Sequence, residues 1–515
     1  MFVLLICFIV ALVIFNDYVR KSGYRWKKLC EFPGDAPLPV LGNGLQLGFD
    51  ADEASLKLMA IWKRHGKQNF RMTVGSEEWV LLSDPDDVGL SFSRTLKLNL
   101  IFKFFFYCTV LFMLYTVIKY LYILGERWRS VRRLMTPSFH FKTLEKRVED
   151  VNKNCPLLFD ILDTYEEKGP VDLYRYLRPY MFDILCSTLM GVETNYLQNP
   201  DDPYIKASGR IIKIINQNYF SYWRNIRFLF VLTPIYWDMM ATVKIIRQTS
   251  ADVRIIKRRE KINKVIEDIK NNNKNVEIDF GDLIEKKLSD GGCLLDRLIL
   301  SISPDGKPTN DDMINEEMTL VCFTGHYTTT MTISHTLYCL AKYPDVQRKV
   351  LEEQEHIFEN NFHRETTNQD LNQMKYLEAV IKESIRVVPT VTKIGRQLHE
   401  DMTFKDGRVA PAGTSVIIFY DAMYQNPKLF PEPEKYKPER FLESMHPFAF
   451  VPFSAGPRNC IGFRYAWVAM KATLSNILRR YEVLLGGPGT EPEFAYRIIT
   501  ESKNGLRVRL KKRNI

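Results

Sequence analysis

The sequence predicts a mainly α protein with a small β portion. From residue 126 to about residue 380, charged residues alternate with Leu, Ile and Val at the three- and four-residue spacing of amphipathic helices. Short runs with strand composition occur near residues 78–82, 415–420 and 506–510. The chain contains no internal repeat, so we expect one helical body that carries a few short strands.

Composition excludes several classes of protein. The chain has 515 residues, of which 46% are hydrophobic and 26% charged, which excludes a disordered chain, a collagen-like fibre and a small disulfide scaffold. A chain of this length buries roughly three quarters of its unfolded surface, enough to enclose a cofactor completely. The formal net charge of +10 favours an anionic partner or a membrane surface and gives no evidence for nucleic acid.

The cysteines carry information on the cellular compartment. They number nine, an odd number, and none forms a CxxC pair. This pattern argues against a disulfide framework and against a structural zinc site. We therefore expect a reducing compartment, in which a single cysteine can still have a chemical role.

The N-terminus predicts a membrane anchor. Residues 1–15 are continuously apolar, and five basic residues follow between positions 20 and 28. No basic region precedes the run and no clear cleavage site follows it, which favours an uncleaved anchor over a signal peptide. Positive charge after the run predicts that the rest of the chain stays in the cytosol. We expect an anchor with its basic flank over residues 1–30 and a globular domain over residues 31–515.

A second apolar run covers residues 100–124 and contains two charged residues. By hydropathy alone it is a transmembrane candidate. A second span would place residues 31–99 and 125–515 on opposite sides of the membrane. Three interpretations stay open: a membrane-dipping or buried helix, a true span, or a segment foreign to the working protein that arose from a gene-model or splicing error.

Residues 453–462 read FSAGPRNCIG and form the most informative motif of the chain. Gly456 belongs to a tight Gly-Pro turn, and Gly462 lets the backbone approach a flat group closely. Cys460 precedes an apolar helical run, where a thiolate can ligate a metal and backbone N–H groups can stabilise its charge. Arg458 supplies a cation for an anionic group. The alternative is a buried structural cysteine in a Gly/Pro turn.

The pattern of Phe453, Gly456, Arg458, Cys460 and Gly462 resembles the haem-binding loop of the cytochrome P450 superfamily. Three further motifs occur in the order of that family. They are the WxxxR pair Trp128 and Arg132, the ExxR pair Glu383 and Arg386, and the PERF segment formed by Pro438, Glu439, Arg440 and Phe441. The resemblance covers about residues 31–510 and is closest to the microsomal family-four clan. It implies the cytochrome P450 fold, with haem between the long central helix and the helix after the cysteine loop.

The resemblance also implies roles for these residues. Cys460 would be the axial thiolate ligand of the iron of haem b, with the haem otherwise held without covalent bonds, and Phe453 would pack near this thiolate. The expected partners of the haem propionates are Trp128, Arg132, Arg396 and Arg458. The expected structural charge network behind the haem consists of Glu383, Arg386 and Arg440.

A long helix is predicted over residues 316–342, and its middle reads TGHYTTTMTISHT. Six threonines and a glycine are unfavourable in a helix interior, so this patch is a candidate functional groove. The alternative is that the hydroxyls bond back to their own helix. By resemblance, Thr328 is the catalytic threonine that helps deliver protons to bound oxygen.

Two departures from the family pattern affect this helix. Tyr327 occupies the position usually held by an acid, and Tyr is a poor proton donor at neutral pH. Thr324 stands where many members of the clan carry a glutamate esterified to the haem, so we expect no covalent haem link through this helix. The open alternatives are a relay of water through Thr328, a relay through His326, or poor coupling of oxygen activation to product formation.

The substrate pocket is predicted by position in the family pattern. Its expected lining is mostly apolar, which fits a lipophilic substrate such as a fatty acid, an isoprenoid or a xenobiotic. The expected substrate-binding residues are Phe323, Thr324, Val391, Ile394, Ile498 and Ile499.

Basic residues near Trp128 and Cys460 point to the electron donor. On the fold implied by the resemblance they share one face, which suits an acidic NADPH-dependent flavoprotein reductase, with cytochrome b5 as a second candidate partner. An ordinary solvated basic surface is the alternative. These residues are Arg127, Arg129, Arg133, Lys142, Arg464 and Lys471.

The sequence therefore predicts a haem-thiolate monooxygenase, an oxidoreductase of the endoplasmic reticulum membrane whose catalytic domain faces the cytosol. It would insert one atom of O₂ into its substrate with electrons from NADPH. Two alternatives stay open. One is a reductase-independent haem-thiolate isomerase or dehydratase, and the other is a non-catalytic product disrupted by residues 100–124.

Overall fold

The computed structural model describes most of the chain. The described residues are 2–39, 41–48, 50–75, 77–94, 125–139, 147–219, 230–248, 258–260, 262–264, 293–301, 309–359 and 361–513. The apolar run 100–124 and Lys142 lie outside the described residues.

Helices form most of the described part, and the prediction of a mainly α fold is confirmed. In the first half of the chain they are α1 Phe2–Ser22, α2 Tyr24–Leu29, α3 Gly44–Leu47, α4 Ala51–Arg64, α5 Pro85–Arg94, α6 Gly125–Met135, α7 Arg147–Asp163, α8 Tyr165–Lys168, α9 Leu173–Leu185, α10 Pro203–Tyr219 and α11 Pro234–Arg247. In the second half they are α12 Leu294–Leu300, α13 Asp311–Lys342, α14 Pro344–Phe358, α15 Asn368–Gln373, α16 Lys375–Val387, α17 Tyr420–Tyr424 and α18 Phe463–Arg480.

The strands are short and form small sheets. They are β1 Phe70–Val74, β2 Glu77–Leu82, β3 Val171–Asp172, β4 Lys393–Gln397, β5 Met402–Thr403, β6 Val409–Ala410, β7 Ser415–Phe419, β8 Tyr481–Leu485, β9 Phe494–Ala495, β10 Glu501–Ser502 and β11 Arg507–Lys512. The largest sheet has the order β1-β2-β7-β4, in which β2 and β7 are parallel and the other pairs antiparallel. Strands β3, β11 and β8 form a second, antiparallel sheet.

The largest sheet is buried on both faces. Val416 and Ile418 of β7 pack into one hydrophobic cluster, whereas Ile417 and Phe419 pack into another on the opposite face. This follows from the alternation of side chains along a strand. This strand is therefore apolar from Val416 to Phe419, which is why the sequence identifies it so clearly.

Helix α13 runs through the largest hydrophobic cluster of the described residues. Its N-cap is Asn310, whose side chain accepts a hydrogen bond from the Met313 N–H at 2.8 Å, and Asp311 and Asp312 follow in the first turn. The helix therefore begins five residues before the predicted start at residue 316. It ends at Lys342, as predicted, because Pro344 follows.

The N-terminal apolar run lies in α1, which continues to Ser22. Leu4, Phe8, Leu12 and Phe15 are exposed on this helix. Within the part of the chain that the structure describes, no helix combines the length and the apolar character that crossing a membrane requires.

Candidate active site

The cysteine loop of residues 453–462 is closed by its own backbone. The Cys460 N–H donates to the Phe453 carbonyl at 2.9 Å, and the Asn459 N–H donates to the Gly456 carbonyl at 3.1 Å. Gly456 has a φ of +73°, and a Cβ atom at this position would lie 2.8 Å from the Phe92 carbonyl oxygen. Only glycine fits this turn without strain, so the sequence dictates the loop that presents Cys460.

Cys460 lies three residues before α18 begins. Its side chain is exposed, yet the surrounding protein is dense enough that burial raises the pKa of the thiol. The backbone N–H of Gly462 and the charge of Arg132 act in the opposite direction and favour the thiolate. A cysteine in this setting can serve as a metal ligand when the metal itself displaces the thiol proton.

Three guanidinium groups contact or flank the cysteine loop. Arg132 donates to both oxygens of Asn459, to the backbone oxygen at 2.9 Å and to Oδ1 at 2.7 Å. Arg396 donates to Ser454 Oγ at 3.0 Å. Arg458 lies over the Trp128 ring, 3.7 Å from the ring centroid. The structure thus brings together four of the predicted propionate-binding side chains.

Two of these cations have no carboxylate partner among the residues that the structure describes. Neither Arg132 nor Arg396 forms an ion pair with an acidic side chain among the described residues. Arg396 is 4% exposed, and burial lowers the pKa of its guanidinium. Because an unpaired buried cation is costly, the arrangement fits an anionic group that binds beside the exposed thiol.

The middle of α13 offers a partly exposed face inside the buried core. Thr324, Gly325 and Thr328 are half-buried, whereas the residues on the other faces of this segment are buried. The Thr328 hydroxyl donates to the Thr324 carbonyl at 2.8 Å, and the Thr324 hydroxyl donates to the Leu320 carbonyl at 2.8 Å. These two hydroxyls therefore bond back to their own helix, which was the alternative interpretation of this patch. The patch nevertheless presents a half-exposed face.

His326 lies on a different face of α13 from Thr324 and Thr328. Its ring is fully buried and packs against Phe182 and Tyr204. Nδ1 lies 2.6 Å from the Cys322 carbonyl oxygen, and burial lowers the pKa of the imidazole to about 4. A neutral ring held in this way is poorly placed for a proton relay to the Thr328 face.

Tyr327 is also turned away from that face. Its hydroxyl donates to Glu501 Oε2 at 2.9 Å. The same hydroxyl oxygen accepts from the Arg178 guanidinium at 3.4 Å. Nothing in the sequence indicated these two partners, because they form no motif and lie far from Tyr327 along the chain.

The residues of the ExxR and PERF motifs form one buried network. Arg386 is fully buried and donates to both oxygens of Glu383 at 2.8 Å. Arg440 donates to the same carboxylate at 3.2 Å. Arg386 also donates to the carbonyls of Tyr424 and Pro433, at 2.9 and 2.8 Å. The network thereby ties α16 to the segment before the PERF helix Pro438–Phe441.

The predicted substrate-binding residues are partly brought together. Val391 and Ile499 pair in an isolated antiparallel bridge, and the Ile498 N–H donates to Asn216 Oδ1 of α10 at 3.2 Å. Ile394 is half-buried and packs against the same cluster as Val391. Phe323, by contrast, is buried, and its ring stacks on Tyr327.

The basic residues divide into two groups. Arg129, Arg133 and Arg464 are exposed. Lys471 differs from the expectation that it contributes to a basic surface, since it is buried and donates to Glu378 at 3.1 Å. Burial lowers the pKa of Lys471, and its ion pair fixes α18 to α16.

The family follows from a comparison with known proteins. Residues 32–505 match the family model described as Cytochrome P450. The chain belongs to the cytochrome P450 family. It is 32% identical to Cytochrome P450 4d2 of Drosophila melanogaster, covering 93% of this chain and 94% of that protein. It is 31% identical to Cytochrome P450 4c3 of the same species, covering 98% and 93%.

The chain is thus a cytochrome P450 monooxygenase, and members of this family carry haem b with a cysteine thiolate ligand. Haem supplies the redox-active iron at which O₂ is activated. Cys460 is exposed near Arg132 and Arg396, which pair with no carboxylate in the described part of the chain, and this donor set fits a dianionic porphyrin with a thiolate ligand. The Phe453 ring lies 5.9 Å from the Trp467 ring between centroids, so this end of the cysteine loop packs against α18.

The charge network generates a first prediction. Replacing Glu383 by Gln leaves the buried Arg386 without its carboxylate, and breaking a buried pair in this way costs about 3–5 kcal/mol. We expect E383Q to lower the thermal denaturation midpoint and the yield of haem-containing protein. The exposed Glu443 provides a matched control, and E443Q should change neither quantity. A haem content of E383Q equal to that of the wild type would contradict this role.

The buried histidines generate a second prediction. Burial lowers the pKa of His326 to about 4 and that of His335 to about 3, against about 6.5 in the unfolded chain. The unfolded state binds more protons below pH 6.5, so stability is complete above this pH and falls as the pH drops towards 4. Thermal denaturation between pH 7 and 4 should show a smaller fall in H326F than in the wild type.

The exposed His363 is the control for this measurement. H363Q should keep the pH dependence of the wild type, since His363 lies at the surface and outside the buried ring cluster around His326. An H326F profile with the wild-type slope would show that His326 contributes nothing to acid sensitivity.

Proposed function

We propose that this cytochrome P450 inserts one oxygen atom of O₂ into a lipophilic substrate, with electrons that a flavoprotein reductase delivers from NADPH. The candidate substrates are a fatty acid, an isoprenoid or a xenobiotic. The observation that carries the proposal is the exposed Cys460 thiol beside Arg132 and Arg396, neither of which has a carboxylate partner among the described residues.

The proposal assigns roles to residues of the cysteine loop and to the side chains that flank it. Cys460 ligates the iron, and Gly456 and Gly462 shape the loop that presents it. The propionates bind to Arg132, Arg396 and Arg458, with Trp128 stacked beneath Arg458. The bonds of Arg132 to Asn459 and of Arg396 to Ser454 hold these guanidinium groups in place before the cofactor binds, which lowers the entropic cost of binding.

The proposed substrate pocket lies where α13 meets the segments that follow α16 and precede β10. Thr324 contributes the half-exposed polar surface, and the Val391–Ile499 bridge contributes an apolar wall. Ile394 and Ile498 extend that wall. An apolar wall with few polar groups binds a substrate by desolvation and leaves its orientation to those few groups.

The proposed surface for the reductase is basic. Arg132 joins α6 to the cysteine loop through Asn459. Arg133 belongs to α6, and Arg464 belongs to α18, which follows this loop directly. Both side chains are exposed. A cluster of exposed cations steers an acidic partner into contact and suffers from screening by salt. Cytochrome b5 is a second acidic candidate for the same surface.

We further propose that residues 1–30 attach the enzyme to the endoplasmic reticulum membrane, with the domain of residues 31–515 in the cytosol. Exposed Leu4, Phe8, Leu12 and Phe15 recur at three- and four-residue spacing and form one apolar face of α1. Arg20 and Lys21 lie in the last turn of this helix, where cations interact favourably with lipid headgroups. The same membrane concentrates lipophilic substrates.

The proposal is tested on full-length protein in membranes, by spectroscopy and by turnover. The reduced carbon monoxide complex of the wild type should show the red-shifted band of a thiolate-ligated haem. With reductase and NADPH, the wild type should oxidise at least one of lauric acid, farnesol and 7-ethoxycoumarin, which represent the three substrate classes. A thiolate band without NADPH-dependent product from any of them would argue against the monooxygenase proposal for these classes.

The matched variants are two serine substitutions. C460S should lose the thiolate band and all turnover, because a serine hydroxyl is not a thiolate donor. Cys30 is also exposed, and C30S should keep the band and the activity of the wild type. A C460S variant that retains the thiolate band would show that a different cysteine ligates the iron.

The basic surface generates a separate prediction. R133E and R464E together should raise the KM for the reductase by about tenfold or more, because a reversed charge repels the acidic partner. The kcat at saturating reductase and the carbon monoxide spectrum should stay unchanged. K213E on α10 makes the same kind of charge change at an exposed site on another element and should leave the KM as it is. An unchanged KM in R133E/R464E would place the docking surface elsewhere.

A further inference from the structure

A buried polar cluster joins the middle of α13 to strand β10. Its members are Arg178 of α9, Tyr327 of α13 and Glu501 of β10. The Tyr327 hydroxyl donates to Glu501 Oε2 at 2.9 Å, and Arg178 forms an ion pair with Glu501 Oε1. The Arg178 guanidinium also lies over the Tyr327 ring, 5.0 Å from its centroid, and over the Tyr174 ring at 5.2 Å.

The cluster keeps a carboxylate inside the protein. Glu501 is 5% exposed and Tyr327 is fully buried. An isolated carboxylate would be costly at such a position, whereas one that accepts from a guanidinium and a phenol is stabilised. Burial raises the pKa of the Tyr327 phenol, although the charge of Arg178 opposes the rise. The phenol therefore keeps its proton at neutral pH and donates it in the hydrogen bond to Glu501.

Hydrogen bonds connect this carboxylate to the turn that carries Thr328. Tyr327 directly precedes Thr328 in α13. The Thr332 hydroxyl donates to the Thr328 carbonyl at 3.0 Å and lies 2.8 Å from the Thr390 hydroxyl. The Thr500 N–H donates to the Thr390 carbonyl at 2.9 Å, and Glu501 is the next residue. The carboxylate is thus linked to this turn through Tyr327, and the backbone directly before Glu501 is linked to it through Thr390.

The cluster also extends towards solvent. Arg497 and Lys503, which flank Glu501 in the chain, both form ion pairs with Asp52 of α4. The Lys503 side chain is 42% exposed. Glu501 itself accepts the hydrogen bond from Tyr327 of α13, and it lies in the chain between these two cations.

We propose that Glu501 is a positioning residue for proton delivery at Thr328 and acts through Tyr327. The inference deepens the proposed function and rests on it. Monooxygenation combines substrate RH, O₂, NADPH and H⁺ to give ROH, NADP⁺ and H₂O, so the site takes up two protons with two electrons in each turnover. The protons come from solvent, and the ionisation of Glu501 is the same at the beginning and the end of the cycle.

The direct test replaces the carboxylate in the full-length holoenzyme. With E501Q, reductase and NADPH, and a substrate from the panel that the wild type oxidises, we expect the product formed per NADPH consumed to fall at least about tenfold. NADPH consumption should continue and release H₂O₂, because O₂ then takes up two electrons and two protons without cleavage. A ratio of product to NADPH equal to that of the wild type would overturn the proposal.

A second measurement separates proton delivery from a structural role. Hydrogen peroxide converts RH to ROH and H₂O without external electrons or protons. With peroxide in place of NADPH and O₂, E501Q should therefore form product as fast as the wild type. A loss of peroxide-driven turnover as large as the loss with NADPH would show that Glu501 acts only on the structure of the site, and would overturn the proposal.

Two further variants complete the design. Y327F keeps the ring beneath Arg178 and the Arg178–Glu501 ion pair, and removes only the hydroxyl group. In Y327F the ratio of product formed to NADPH consumed should fall as it does in E501Q. If E501Q fails to bind haem, Y327F is the variant that tests the proposal. Unchanged coupling in Y327F would overturn the role assigned to Glu501. Glu493 is exposed next to β9, the strand that pairs with β10, and E493Q is the control expected to behave as the wild type.

Failure of the proposed function would look different. It would appear in the wild type, as a lack of NADPH-dependent product from every substrate of the panel. Failure of the inference alone would appear as a wild type that forms product with NADPH and as Glu501 and Tyr327 variants that do so equally well.

Discussion

The burial of α13 on nearly all of its faces is the constraint on which the active-site region depends. A helix of this length with threonine, histidine and tyrosine in its middle must satisfy every polar group without bulk water. The Thr324 and Thr328 hydroxyls bond to their own helix. His326 stays neutral, and Tyr327 takes its partner from β10. Thr324 and Thr328 therefore form the narrow polar face of this segment that stays accessible.

The partners of Arg386 differ in charge from those of Arg132 and Arg396. Arg386 is fully satisfied by Glu383 and by backbone carbonyls, so its charge has no capacity left for a ligand. Arg132 and Arg396 are held by neutral oxygens, and no carboxylate of the described residues compensates their charge. The first arrangement stabilises the fold. The second leaves positive charge that attracts an anion, as the site of an anionic cofactor requires.

The sequence predicts those parts of the fold that depend on local signals. Strand β7 is a continuous apolar run and α18 follows a Gly/Pro turn, so both are recognisable, and the motif at 453–462 identifies the cysteine loop. The contact between Tyr327 and Glu501 is not predictable, because 174 positions separate the two residues and neither belongs to a spacing pattern. The burial of Lys471 was missed for the same reason, since its environment is set by the packing of α18 against α16.

The topology of the largest sheet also constrains how the enzyme is made. Strand β2 pairs in parallel with β7, which leaves the ribosome more than 300 residues later. At a synthesis rate of about 5–20 residues per second, the β1–β2 hairpin waits roughly 20–60 seconds with an unpaired apolar edge. An exposed edge of this kind invites aggregation. The nascent hairpin is therefore a target for chaperones until its partner strand emerges.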